Sequence, residues 1–295
     1  MTGAEAGFLL LTCQFGDPNR KVLTTAQLRL LGQRVRQMQM DDPQRELEEK
    51  DLLHLGYSGD MARRILALLE GKDLLECYCL RSIKADCAYV SRISAGYPAA
   101  LRSKLGDDSP GVLWAKGDLS LLGMPKIALV GSRELLSENR EFAKEVGRQA
   151  ARQGYVLVSG NARGADKTAQ EACLAVGGKV ISVVADRLES HSIREGVLYL
   201  SEDGFDQDFS AQRAISRNRV IHALADKTFV AQCGYQTGGT WDGSVKNLRF
   251  GWSSVYCYDD GSPSVKLLQQ MGADAVDLAA LSCIEKLENQ SIRLF

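Results

Sequence analysis

Residues 125–186 read PKIALVGSRELLSENREFAKEVGRQAARQGYVLVSGNARGADKTAQEACLAVGGKVISVVAD. Three apolar runs, 127–130, 155–158 and 180–184, alternate with two segments of helical period. The first run stops at Gly131-Ser132-Arg133 and the second at Ser159-Gly160-Asn161-Ala162-Arg163-Gly164. Strand, glycine turn and helix, repeated, is the sequence form of a doubly wound parallel sheet. Each turn delivers backbone N–H groups and an arginine to the carboxyl edge of the strands. Open α/β sheets bind ligands at that edge, and N–H groups at a helix start favour anions.

Working outward, 138–153 is predicted as an amphipathic helix with Ser137 as N-cap, Phe142, Val146 and Ala150 on one face, and Gly154 as the terminating glycine. A second helix is expected over 166–176, stopped by Gly177-Gly178. Further on, the pattern predicts a weak strand at 198–201, a polar loop over the site at 203–210 and a helix at 211–225. A strand at 227–233 then runs into a third glycine loop, Gly234 to Thr240, which opens a helix over 241–250. A strong strand at 254–258, a helix at 263–271, a short extended piece and a closing helix at 278–288 complete this half.

Upstream the character changes. Residues 1 to about 100 are rich in Leu, Arg, Gln and Glu, with little β-branched alternation. Thr24 or Thr25 caps a helix running to about Met38, Asp41-Asp42-Pro43 breaks it, and short helices are expected at 47–53 and 60–69 around Gly56-Tyr57-Ser58-Gly59. Helix, glycine turn, helix also describes SAM-like and helix–hairpin–helix modules. Residues 112–117 read as a short strand at the entry to the sheet. The expected organisation is therefore α/β: a small all-helical domain over 1–90, then an extended Rossmann-like, doubly wound, mainly parallel sheet over 91–295.

Composition bounds the function. In 295 residues, 45% are hydrophobic and 25% charged, as in ordinary globular chains, and the net charge is −1. No global field draws the chain to nucleic acid or anionic membrane, so any such contact must be a local patch. No apolar run approaches a membrane span and no signal peptide is evident, so a cytoplasmic protein without membrane contact is expected. The eight cysteines lack a C-x-x-C pair and are expected to be reduced. A zinc site on Cys77, Cys79 and Cys87 with His54 would need unusual ligand spacing, so no metal is assigned. No cofactor is assigned either, because neither a Walker A motif nor a G-x-G-x-x-G fingerprint is present.

The candidate site residues come from the three loops. Gly131, Gly160, Gly164, Gly238 and Gly239 let the backbone turn tightly against a ligand. Ser132, Ser159 and Thr240 supply hydroxyls, and Arg133, Arg163 and Lys167 supply charge. Arg217 and Arg219 flank Asn218; at i, i+2 on a helix the two arginines do not share a face. Asp166 is expected to complement the start of its helix. His54, His191 and His222 have no neighbouring nucleophile, so acyl transfer is unsupported.

These motifs resemble the DprA/Smf DNA-processing family. The resemblance lies in Val130-Gly131-Ser132-Arg133, in Ser159 to Asp166 with Gly177-Gly178 after it, in Arg217-Asn218-Arg219, and upstream in Tyr97-Pro98 and Val112-Leu113-Trp114, covering about 95–260. It implies a Rossmann-like protein that binds and protects single-stranded DNA, assists RecA loading during DNA uptake and recombination, forms homodimers and is not an enzyme. Arg133 and the 217–219 segment would contact the DNA backbone, and Gly131, Ser132, Ser159, Gly160 and Arg163 would line a phosphate pocket. Asn161 and Ala165 stand where the family loop usually carries large apolar residues, and Gln170 stands where it carries histidine. Arg217–Arg219 and Gly238-Gly239-Thr240 with Asp242 also resemble the LOG nucleotide phosphoribohydrolases, in which Asp242 would be the catalytic acid. A nucleotide-sensing module is the third alternative.

Overall fold

The computed structural model describes residues 1–38 and 45–288. Helices α1 (Gly3–Thr12), α2 (Thr25–Gln37), α3 (Glu49–His54), α4 (Gly59–Leu69) and α5 (Lys72–Lys84) come first. Then follow β1 (Ala88–Ser91), α6 (Ala99–Leu105), β2 (Val112–Gly117), β3 (Lys126–Val130), α7 (Ser137–Arg152), β4 (Val156–Ser159), α8 (Ala165–Leu174), β5 (Lys179–Val183) and β6 (Val197–Ser201). The chain continues through α9 (Ala211–Ser216), α10 (Asn218–Leu224), β7 (Lys227–Val230), α11 (Gly238–Phe250), β8 (Ser254–Tyr258), α12 (Pro263–Gln270) and β9 (Asp274–Val276). The break expected at Asp41-Asp42-Pro43 lies outside the described residues.

The strands form one nine-stranded sheet in the order β1-β2-β6-β5-β4-β3-β7-β8-β9. From β6 to β9 every pairing is parallel, while β1–β2 and β2–β6 are antiparallel. The fold is thus α/β, with N-terminal helices leading into a mainly parallel sheet. All five residues of β3 are buried because helices cover both faces, which is why its sequence is a continuous apolar run. Ile127 and Leu129 pack with Phe142, Val146 and Ala169 on one side. Ala128 and Val130 pack with Leu101, Ile221 and Trp241 on the other.

Local chemistry sets the helix ends. Thr24 and Gln27 form a reciprocal capping box on α2, as do Thr2 and Glu5 on α1. Contrary to expectation, Ser137 does not cap α7: it is already helical, the cap is Leu136, and no side chain bonds there. Gly154 does end α7, with φ of 77° and the paired bonds Tyr155 N–H to Ala150 O and Gly154 N–H to Ala151 O of a Schellman closure. Gly147 lets α7 and α8 touch backbone to backbone; a Cβ there would lie 2.2 Å from the Ala169 carbonyl oxygen.

The N-terminal helices have their own apolar cluster around Leu31, Leu52, Ile65 and Leu68. A second cluster joins them to the sheet: Leu9, Leu10, Phe15, Leu75 and Tyr78 pack with Trp114, Val184, Leu188 and Phe205. Tyr78 meets Trp114 edge-on at 5.1 Å and its hydroxyl donates to Asp206 at 2.7 Å. β1 spans residue 90 and extends the sheet by one antiparallel strand. Two expected elements differ in form. The helix foreseen over 211–225 is broken at Arg217 into α9 and α10, and the closing helix is a 3-10 segment, Ala280–Lys286, with non-helical backbone at Cys283.

Candidate functional site

The chain walks from β3 through β4 and β5 to β6 on one side, then crosses back to β7 beside β3 and moves outward to β9. The strand order reverses between β3 and β7, and at such a switch point the loops at the carboxyl ends part to leave a crevice. The three glycine loops leave β4, β3 and β7, consecutive neighbours in the sheet, so all three converge on this crevice.

The loops brace one another. Gly131 sits so close to α8 that a Cβ would be 2.5 Å from that of Ala165. Gly164 has φ of 87° and lies under the Ser132 and Arg133 carbonyls, where a Cβ would approach both oxygens at 2.4 Å. Ala165 N–H donates to Ser132 O at 3.1 Å, and Ser132 N–H to Gln232 O at 2.9 Å. Asn161 takes the left-handed conformation, φ 58°, which asparagine tolerates far better than the large apolar residue of the usual family loop. The Asp166 carboxylate accepts from Gly160 N–H at 3.1 Å and Ala162 N–H at 3.2 Å, stapling the loop from beneath. Burial pushes its pKa up, against the pull of Arg217 and those two N–H groups.

Arg217 occupies the break between α9 and α10 and is only 7% exposed. Its Nε has no hydrogen-bond partner, and among the described residues it forms no ion pair. Burial lowers its pKa and Asp166 raises it. An unpaired buried guanidinium is costly unless something anionic completes it. Its guanidinium lies over Gly160, where a Cβ would be 1.5 Å from Nη1. It separates two cavities. The larger, about 490 Å³, is walled by Gly131–Arg133, Gly234, Thr237–Thr240, Asn218 and His222. The smaller, about 260 Å³, is walled by Gly160–Arg163, Asp186 and Phe209. Arg133, Ala162, Ala214 and Arg217 border both. α11 begins at the larger cavity with Thr237 as an extended N-cap that makes no side-chain bond, so its first N–H groups remain available to an anion.

Of the residues read from the sequence, Gly131, Ser132, Arg133, Gly160, Arg163, Arg217, Asn218, Gly238, Gly239 and Thr240 border one cavity or both. The others point elsewhere. Ser159 is fully buried and its hydroxyl accepts from Gln170 Nε2 at 2.6 Å, so it belongs to the core beneath the loop. The same Gln170 amide reaches Ser182 at 3.2 Å. Gly164 supports the loop from behind without bordering a cavity, and Lys167 is exposed on the outer face of α8. Arg219 turns away to pair with Glu202 at 2.6 Å, because residues i and i+2 of a helix diverge. Asp242 is exposed on α11 and borders neither cavity. Among the described residues no group of His, Cys, Asp or Glu is arranged to hold a metal ion. Nor is any helix there long and apolar enough to cross a membrane.

The structure adds residues that the sequence did not place at the site. Phe209 closes the smaller cavity and is 58% exposed, from within a loop that reads only as polar and irregular. Its segment, 203–210, holds two aromatics among Asp, Gln and Ser; Phe205 is buried in the core and Phe209 is left at the surface. Ile221 and His222, both buried, and Ile215, which is exposed, also border the larger cavity.

The family model for DNA recombination-mediator protein A matches residues 88–242, which takes in β1 through the first turn of α11. The chain belongs to the DNA recombination-mediator protein A family. It is 29% identical to the DNA processing protein DprA of Bacillus subtilis over 218 residues, 68% of this chain and 71% of that one. The solved DprA of Streptococcus pneumoniae has the same fold, with a TM-score of 0.71 and 24% identity over 98% of this chain and 99% of its own. DNA processing protein A of Helicobacter pylori aligns with a TM-score of 0.56 and 22% identity over 66% of this chain and 94% of its own. In this member of the family the three-loop crevice bordered by Arg217 is the candidate site.

Proposed function

We propose that this recombination-mediator family member binds single-stranded DNA along the carboxyl edge of its sheet. In this reading the protein protects the strand and assists RecA loading in DNA uptake and recombination, acting as a cytoplasmic homodimer without enzymatic activity. One observation carries the reading: Arg217 is buried, lacks an ion pair among the described residues, and borders both cavities at the switch point. Strand phosphates complete its charge. Arg133, Arg163, Ser132 and the open N–H groups of Gly238, Gly239 and Thr240 add donors around the same anions.

Phe209 gives a base a face to stack on beside these donors, and stacking plus backbone charge is how strands are held without sequence preference. The Helicobacter pylori relative is described with a single-stranded DNA binding mode, which agrees. The net charge of −1 makes the track a local feature of the edge. The division into 1–90 and 91–295 belongs to the same proposal, with the helices as a side wall docked through Tyr78 and Trp114.

The test is binding of fluorescent oligo-dT at two salt concentrations by wild type and Arg133→Ala. Binding that weakens with salt and with the substitution is expected; no binding at low salt removes the proposal.

A further inference from the structure

We infer that the N-terminal helices set the stacking face of the strand site: Tyr78 and Arg81 of α5 are positioning residues that act on Phe209 through the loop 203–210. The inference rests on the proposal that a strand base stacks on Phe209. Of that loop, Phe209 alone borders the smaller cavity, and its ring is exposed. The residues before it are held by the helices. Phe205 is buried in the cluster that joins the helices to the sheet, its ring 4.7 Å from that of Tyr78 and 5.4 Å from that of Trp114. The Asp206 side chain is buried and receives two donors from α5, the Tyr78 hydroxyl at 2.7 Å and the Arg81 guanidinium at 2.9 Å. Gly204, at φ 146°, passes beside the same hydroxyl, where a Cβ would lie 2.7 Å from the oxygen.

The other ties come from the sheet. Arg213 Nη1 donates to the carbonyls of Gln207 at 2.9 Å and Asp208 at 2.6 Å, and Arg187 holds the Asp208 carboxylate through two bonds of 2.7 and 3.2 Å. Ser210 caps α9. The loop is thus anchored on both sides of Phe209. The anchor at Asp206 confines it, because three residues of chain reach at most about 11 Å. Ordering an irregular segment costs conformational entropy at every residue, and the buried contacts of Phe205 and Asp206 offset that cost here. Without Tyr78 and Arg81 the Asp206 carboxylate keeps only the neutral Gln207 amide, at 3.0 Å. A buried carboxylate that loses its cation and its strongest donor moves out to water. Phe205 then loses its seat, and the Phe209 ring is no longer presented to the cavity.

The test uses oligo-dT carrying one 2-aminopurine, whose fluorescence is quenched when it stacks. Tyr78→Phe/Arg81→Ala is expected to weaken binding by about fivefold, as far as Phe209→Ala does, the loss of one stacked base. The quench seen with wild type should disappear in both. The slope of log affinity against log salt should stay as in wild type, because no phosphate contact is touched. Adding the α5 substitutions to Phe209→Ala should cost less than about twofold further. The Glu189 amide donates to Phe205 O at 3.0 Å, and its hydrogen exchange should quicken in the α5 double variant without DNA. Should the double variant fail to fold, Arg81→Ala alters only a half-exposed side chain and is expected to lose part of the affinity and quench, with Arg81→Lys restoring both. Wild-type affinity and quench in the α5 variants, a changed salt slope, a loss that adds in full to that of Phe209→Ala, or unchanged exchange at Glu189 each overturn the inference. No binding by wild type at low salt would instead sink the strand reading, and the inference with it; binding with the quench intact in the α5 variants sinks the inference alone.

Discussion

The guanidinium of Arg217 fills the space above the α-carbon of Gly160, where the smallest side chain would lie 1.5 Å from Nη1. The glycine of the second loop is therefore needed for the arginine of a distant helix break as well as for its own turn. That coupling ties the loop after β4 to the α9–α10 junction and fixes the charge that both cavities share.

Gly160→Ala should displace Arg217 and weaken oligo-dT binding by about tenfold or more, the loss of a charge-assisted hydrogen bond. Arg217→Ala should do the same. The two changes act on one group, so adding Gly160→Ala to Arg217→Ala should cost less than about twofold further. Fluorescence anisotropy on the four proteins checks this; additive losses would show that Gly160 acts independently of Arg217.

Much of the geometry of this candidate site was legible in the chain. The runs around Gly131, Gly160 and Gly239 carry both the period of the elements and the residues at the turns, so the sheet and its loaded edge follow from local pattern. What escaped depends on tertiary packing. The break at Arg217 has no proline or glycine to announce it, and its guanidinium lies over Gly160 of a loop distant in the chain. The destination of Ser159 was set by Gln170, eleven residues on, and that of Arg219 by Glu202, the residue after β6. α1 was readable in principle, since Thr2 and Glu5 form the S/T-x-x-E signature of a capping box. β1 was not, because its four residues, Ala88 to Ser91, show no alternation and gain their strand form from pairing with β2.

Salt dependence separates the arginines that face the cavities from the lysine that does not. Arg133 is exposed at the mouth of both cavities, and Lys167 stands on the outer face of α8. Arg133→Ala should reduce the slope of log affinity against log salt by about 1, one phosphate contact. Lys167→Ala should leave the slope as in wild type. A slope that falls with Lys167→Ala and not with Arg133→Ala would place the DNA track on α8 and away from the crevice.

His222 should make stability fall in mild acid. Its folded pKa, about 3, lies below the ordinary 6.5, so between those values the unfolded chain binds more protons than the folded one. The contribution is complete above pH 6.5 and is lost as pH falls towards 3. Between pH 7.5 and pH 5 the loss from this group is about 2 kcal/mol. Urea unfolding of wild type against His222→Phe checks it. The substitution lowers stability at every pH by removing the bond to Asn247, but the difference between the two proteins should shrink as pH falls. A difference that stays constant from pH 7.5 to pH 5 would mean that His222 charges freely in the folded state.

Arg219 should matter more for folding than for DNA. Its partner Glu202 has a side chain only 6% exposed, and one of the carboxylate oxygens, Oε1, has no hydrogen-bond partner. Burial raises the Glu202 pKa and Arg219 opposes that rise. Arg219→Ala leaves a buried carboxylate without its cation, which should destabilise the protein by about 3 kcal/mol at pH 7. Adding Glu202→Gln should restore much of that loss, because the neutral amide needs no counter-charge. The sign with pH is opposite to that of His222. Without Arg219 the folded pKa of Glu202 moves further up, so the penalty is complete above that pKa and disappears as pH falls and the carboxyl takes a proton. Urea midpoints of wild type, Arg219→Ala and the double variant at pH 7.5 and pH 5 measure this, with the His222 contribution cancelling between proteins. An Arg219→Ala deficit that is unchanged at pH 5, or an oligo-dT affinity that falls as far as in Arg133→Ala, would return Arg219 to the DNA-binding edge.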